Sequence, residues 1–262
     1  MRTLRKTGQQ SIGVDIRKSA FTHEVGSIGD CSFVKSCMQG VDAVLHTATL
    51  HKPHIATHTR QDFVDTNITG TLNLLEEASA AGVGGFVFTS TTSVFGRTLT
   101  PPPEAPAAWI TEDVVPVPKN IYGVTKVAAE NLCELLHRIR GLPCLILRTS
   151  RFFAEADDRK ETRQAYQDLN VKLNEFLYRR VDLEDVVDAH LLALEKVRAI
   201  GFDRYNRERD DTLHTRRFGR VAREPRSGGE PASAWLRGGV HRPWMVDVPG
   251  HRPRLRQRTG AE

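Results

Sequence analysis

No stretch of this 262-residue chain approaches the roughly 20 consecutive apolar residues that a bilayer-spanning helix needs. The opening Met-Arg-Thr-Leu-Arg-Lys-Thr-Gly-Gln-Gln holds no apolar core of the kind an export signal carries. Membrane insertion and secretion are therefore excluded as expectations, and a cytoplasmic localisation is expected. Cysteine is scarce: Cys31, Cys37, Cys133 and Cys144 show no metal-type pairing and fit free, buried thiols in a reducing compartment. Lysine is missing altogether from residues 203–262, which hold 14 Arg against 8 acidic residues. Residues 1–202 hold 23 Lys and Arg against 24 Asp and Glu. The net charge of +5 thus belongs to the tail and gives no sign of a nucleic-acid partner for the rest.

What is present is concentrated between Phe86 and Lys126. A short apolar strand, Phe86-Val87-Phe88, runs into the hydroxyl cluster Thr89, Ser90, Thr91, Thr92 and Ser93. A turn at Gly96 and a loop over residues 97–120 with six prolines lead to Ile121-Tyr122-Gly-Val-Thr-Lys126 at the start of a helix, which stops at Gly141. A loop of that length is either functional or disordered, and over the active face it would serve as a partial lid. Tyr122 and Lys126 lie four apart and share a helix face. A tyrosine beside a held ammonium has its phenolate stabilised, which makes it a proton donor and acceptor, with a strand-end hydroxyl to orient a substrate oxygen. Taken alone, such a pair arises often by chance and reads first as a half-buried tyrosine beside a solvated lysine.

Upstream, Ile12-Gly-Val-Asp-Ile16 reads as a strand, with Gly8 before it as a helix stop. In a nucleotide-binding α/β fold an acid at the end of the second strand accepts the ribose hydroxyls, and Asp15 fits that role or caps a turn. The glycine-rich phosphate loop belongs about 20 residues before such an acid, which is ahead of Met1. The expectation is a chain that begins inside the first helix of the fold, without the first strand and its glycine turn. Residues 31–40 read as a helix and Val41–Leu45 as a buried strand ending at His46, a satisfied core histidine. His51, His54 and His58 are spaced too irregularly for a metal cluster, and no metal is expected. Asp62–Ala81 has the helical period, with Gly70 inside it as a close-packing position.

Together the ordered segments Phe88-Thr-Ser-Thr-Thr-Ser-Val-Phe-Gly96 and Tyr122-Gly-Val-Thr-Lys126 resemble the extended short-chain dehydrogenase/reductase family, the nucleotide-sugar epimerases and dehydratases. The likeness runs from about Ile12 to Asn206. It implies a Rossmann-type, doubly wound parallel sheet, lacking its first strand and most of its carboxyl-terminal substrate lobe. By resemblance Thr91, Tyr122 and Lys126 are catalytic. Asp15, Ser27, Ile28, Thr47, Ala48 and Asn67 join Tyr122 and Lys126 in holding the cofactor. Thr91, Thr92 and Arg151 face the substrate. Arg151 stands where galactose-type epimerases often have an Asn; it clamps a phosphate or carboxylate, or pairs with Asp157 or Asp158. The cofactor implied is NAD, with Arg17 and Lys18 leaving NADP open.

The implied reaction is Tyr-Lys-assisted hydride transfer at a secondary alcohol of a nucleotide sugar or similar small molecule. A reductase of a smaller carbonyl compound and an inactive, truncated family member are the alternatives, so enzyme activity itself stays open. The resemblance also implies a homodimer through the helices of Tyr122 and Asn67. Asp182 is expected to cap the helix start that follows Arg179. The domain reading is an NAD(P)-binding unit over residues 1–206, incomplete at its start, and a basic tail over residues 207–262. The tail has no sustained periodicity and reads as disordered, or as the product of a shifted reading frame; an arginine-rich nucleic-acid segment is the weakest of the three readings.

Overall fold

Among the described residues, six parallel strands follow in chain order, with helices between most of them. The computed structural model describes residues 1–100, 102, 108, 110–152 and 181–207. Within them, α1 (Arg2–Lys6) leads to β1 (Val14–Asp15) and β2 (Glu24–Val25), then α2 (Cys31–Cys37) and β3 (Val44–His46). After β3 come α3 (Arg60–Val64), a wide turn (Asp65–Thr69) and α4 (Gly70–Ala80). The carboxyl half is β4 (Phe86–Thr91), α5 (Ile121–Arg140), β5 (Cys144–Thr149), α6 (Leu183–Ile200) and β6 (Phe202–Arg207). Strand alternating with helix is the pattern of a parallel α/β sheet.

The strands form two sheets, β1–β2 and β3–β4–β5–β6, with every neighbouring pair parallel. In the usual doubly wound order the first strand lies between the second and the fourth. If β1 and β2 here are the second and third strands of that order, the break between β1 and β3 falls where the first would sit. β1 is shorter than the expected Ile12–Ile16, pairing with β2 only through Val14 and Asp15.

One face of the main sheet carries Phe86, Phe88, Cys144 and Ile146 against Ala129, Cys133 and Leu136 of α5 and Leu75 and Ala78 of α4. Each such fully buried Phe, Leu or Ile stabilises the fold by roughly 1.5–3 kcal/mol. α5 runs over the expected residues: Asn120 caps it by accepting from the Gly123 amide, and Gly141 ends it in the left-handed region at φ 71°. A Cβ on Gly70 would lie 2.5 Å from Ile28, so the glycine expected to mark close packing does so by admitting the segment before α2.

Three local readings are corrected. The helix expected over Asp62–Ala81 begins at Arg60 and is interrupted by the wide turn at Asp65–Thr69, where Asn67 bonds outside the helix. Asp182 occupies the cap position of α6 but makes no side-chain capping bond. Of the four thiols, only Cys133 and Cys144 are buried, and Cys31 is exposed. The tail expectation for residues 207–262 lies, apart from the backbone of Arg207 in β6, outside the described residues.

Candidate active site

β4 extends through the hydroxyl cluster to Thr91, so its side chains alternate between the two faces of the sheet. Thr91 accepts from the Ser93 amide at 3.1 Å, and Thr92 opens a tight turn that brings the chain round to Gly96. α5 then starts close to this turn: a Cβ on Gly123 would lie 2.9 Å from the Ser93 carbonyl oxygen. Only glycine at that position lets the Tyr122 helix seat so closely on the end of β4.

Tyr122 is 8% exposed and Lys126 2%. The alternative of a half-buried tyrosine beside a solvated lysine is therefore overturned. The Lys126 ammonium donates to the Thr89 carbonyl at 2.6 Å and lies 3.9 Å from the centre of the Phe88 ring. Burial pulls its pKa from 10.5 down to about 7, with Glu130 one turn further along α5 pulling the other way. The Glu130 carboxylate accepts from both Nε and Nη2 of Arg148 and from the Ser90 hydroxyl. Sequence reasoning missed this buried network, although an arginine in the apolar run Cys144-Leu-Ile-Leu-Arg148 was a visible sign that a buried charge needed a partner.

His190 is the second residue missed. Its Nδ1 faces the Val186 carbonyl at 2.7 Å, which can only accept, so Nδ1 carries the proton. Nε2 then accepts from the Thr89 hydroxyl at 2.7 Å. Thr89 thus ties Lys126 through its carbonyl and α6 through its side chain. Burial lowers the His190 pKa and keeps the ring neutral. The expected core role of His46 holds: Thr71 donates its hydroxyl to the Asn67 carbonyl, so His46 Nε2 donates to Thr71, and burial takes the ring's pKa down to about 3.

A cleft of about 810 Å³ opens at the carboxyl ends of the main sheet. Thr47, Thr91, Thr92, Tyr122 and Arg151 line it together. Lys52 and His51 stand on its wall with Arg151, and among the described residues no aspartate or glutamate lines it. Asp15, Ser27, Ile28, Ala48, Asn67 and Lys126 are not part of its lining. Asp15 accepts from the Arg17 amide at 2.8 Å, the turn-capping alternative, and Ser27 accepts from the Gly29 amide at 3.1 Å. Asn67 accepts from Thr49 and the Leu50 amide, and donates to the Leu50 carbonyl and to Thr125 of α5. Its amide is spent on holding the loop after β3 against the Tyr122 helix. The rings of His51 and His54 lie 4.4 Å apart and those of His54 and His58 5.2 Å, and among the described residues no cluster has metal-holding geometry.

The profile of the NAD dependent epimerase/dehydratase family matches residues 1–206. The chain belongs to that family. It is 34% identical over 134 residues to dTDP-glucose 4,6-dehydratase of Streptomyces niveus, covering 51% of this chain and 37% of that protein. It is 36% identical over 97 residues to UDP-glucose 4-epimerase 2 of Oryza sativa subsp. japonica, covering 37% of this chain and 22% of that one. The chain therefore spans well under half the length of these family members. Among solved structures, a short-chain dehydrogenase/reductase superfamily protein of Agrobacterium tumefaciens with bound NAD is similar at TM-score 0.63 and 28% identity, covering 80% of this chain and 73% of that one. Among the described residues no helix is long and apolar enough to cross a membrane.

Proposed function

We propose that the cleft performs the chemistry of its family on a nucleotide sugar or similar secondary alcohol, with Tyr122 as the proton donor and acceptor. The observation that carries this reading is the buried Tyr122–Lys126 face of α5, seated against the hydroxyl-lined floor of the cleft. Thr91 has its lone pair engaged by the Ser93 amide, which leaves its hydrogen for a substrate oxygen beside Tyr122. The Tyr122 phenol takes or gives the proton at that oxygen. Lys126, held on the Thr89 carbonyl, sets the local field when protonated. Lys52 and Arg151 suit the phosphates of a nucleotide ligand.

The residues fit NAD unevenly. Thr47, Tyr122 and nearby Lys126 suit its nicotinamide and ribose end, where the bound group would supply the hydride acceptor. At the adenosine end Asp15 is exposed and engaged with Arg17, and the described residues before it hold no glycine-rich turn for a pyrophosphate. This keeps a second reading in view, a family member whose fold outlasts its activity. A homodimer fits the exposed Val124 and Ile139 on α5, and a cytoplasmic setting fits the four free thiols.

The test is Tyr122→Phe in the 262-residue chain, assayed for turnover of nucleotide sugars with NAD. Loss of the phenolic proton is expected to lower kcat by roughly 10²–10⁴-fold while the melting temperature stays close to wild type. A variant that keeps more than about a tenth of the rate would remove Tyr122 from the chemistry. A wild-type chain that folds but turns nothing over would favour the second reading.

A further inference from the structure

On the α5 side of the sheet, Arg148 of β5 stands in register with Asn206 of β6, and Ser150 continues β5 two residues beyond Arg148. In a parallel pair, residues in register point to the same face, so Arg148 and Asn206 are neighbours there, and Ser150 follows just past the end of β5. All are deeply buried, at 3% for Arg148, 3% for Ser150 and 6% for Asn206. Yet Arg148 Nη1, Ser150 Oγ and both Nδ2 and Oδ1 of Asn206 have no hydrogen-bond partner among the described residues. More than about nine in ten buried polar groups are satisfied in folded proteins. Finding these orphans at neighbouring positions points to a common occupant.

Its chemistry follows from what the orphans need. Arg148 Nη1 and Asn206 Nδ2 only donate, Asn206 Oδ1 only accepts, and Ser150 does either. An anion would meet the donors but not Oδ1, and the guanidinium charge is already offset by Glu130 at 2.7 Å. A cation would meet Oδ1 alone. Water both donates and accepts, and a buried water typically makes about three such bonds. The Phe95 ring lies 5.0 Å from the Arg148 guanidinium, and the backbone N–H of Asn206 donates to the Glu112 carboxylate at 2.9 Å.

We propose that Arg148, Ser150 and Asn206 form a buried hydration site that holds one or two ordered waters beside the cleft and locks the ends of β5 and β6 together. Ser150 also lines the cleft, so the site adjoins the substrate wall and fixes it from behind. This is independent of the reaction assigned to the cleft.

Asn206→Leu, close in volume, separates the two physical cases by sign. If waters bridge the cluster, the change strips them of partners and leaves Arg148 Nη1 unsatisfied. The unfolding constant is then expected to rise about tenfold or more. If the cluster is dry, removing an orphaned amide relieves a cost, and an unchanged or smaller unfolding constant would overturn the proposal. Ser150→Ala carries the same sign with a smaller effect, and decides the matter if Asn206→Leu does not fold. The double variant is expected to lose less than the two changes summed, since both act through shared waters. A high-resolution crystal structure of the wild-type chain is expected to show density within hydrogen-bond reach of Nη1 and Oδ1. A protein side chain in that place, or no density, would contradict the site.

Discussion

β4 and β5 pair over six residues and bury almost every side chain, while β1 and β2 pair over two and leave theirs in solvent. The first pair has neighbours on both sides, so its apolar residues pack on α4 and α5 on one face and on α6 on the other. The second pair has no further neighbour among the described residues, and Ile16 and Val25 stay 69% and 49% exposed. The same contrast separates the surroundings of Tyr122 from those of Asp15. Around Tyr122, polar atoms are matched one to another through Thr89, Asn67 and Glu130; around Asp15, the carboxylate folds back on its own turn. The longer and better-packed sheet thus carries the better-ordered polar network.

That contrast predicts unequal costs of change. Glu130→Ala strikes the organised end. It leaves the Arg148 guanidinium buried without its counter-charge, and the expected loss is about 3–5 kcal/mol of stability by denaturant unfolding. A loss below about 1 kcal/mol would mean that the network contributes shape and little energy.

Lys126→Met probes the same end with the opposite sign. With a folded pKa of about 7 against an ordinary 10.5, the unfolded chain holds the additional proton between those values. Stability from this group therefore rises with pH through that window and is lowest at and below about pH 7. The methionine variant is expected to be at least as stable as wild type at pH 7 and to lack the gain toward pH 10, while turnover is lost. A variant clearly less stable at pH 7 would show that the Thr89 carbonyl and the Phe88 ring more than offset burial. Ile16→Ser, at the exposed end, is expected to shift stability by no more than about 0.5 kcal/mol. A larger loss would mean that β1 is packed more firmly than its exposure indicates.

The Tyr122 end was also the legible end. α5 announces itself through an amphipathic period, an Asn before it and a Gly after it, and these local signals survive any tertiary context. Gly70 could be read as a packing glycine because an interior helix glycine costs about 1 kcal/mol and needs a reason. What escaped were features set by distant partners. The wide turn at Asp65–Thr69 exists because Asn67 reaches Leu50 and Thr125, residues 17 and 58 positions away. His190 gained a partner in Thr89, 101 positions earlier, which no spacing rule encodes. The two-residue β1 fell short because a strand's length depends on its neighbour as much as on its own apolar run.

We propose that this chain organises the nicotinamide end of an NAD site better than the adenosine end. Calorimetric titration of the 262-residue chain with NAD and, separately, with nicotinamide mononucleotide tests it directly. The two are expected to bind within about an order of magnitude of each other, and weakly, because among the described residues no glycine-rich turn offers the charge-assisted bonds to a pyrophosphate, about 1.5–3 kcal/mol each. Joining a parallel strand and glycine-rich turn ahead of Met1 is then expected to strengthen NAD alone. Micromolar NAD binding by the unextended chain, far tighter than the mononucleotide, would contradict the account.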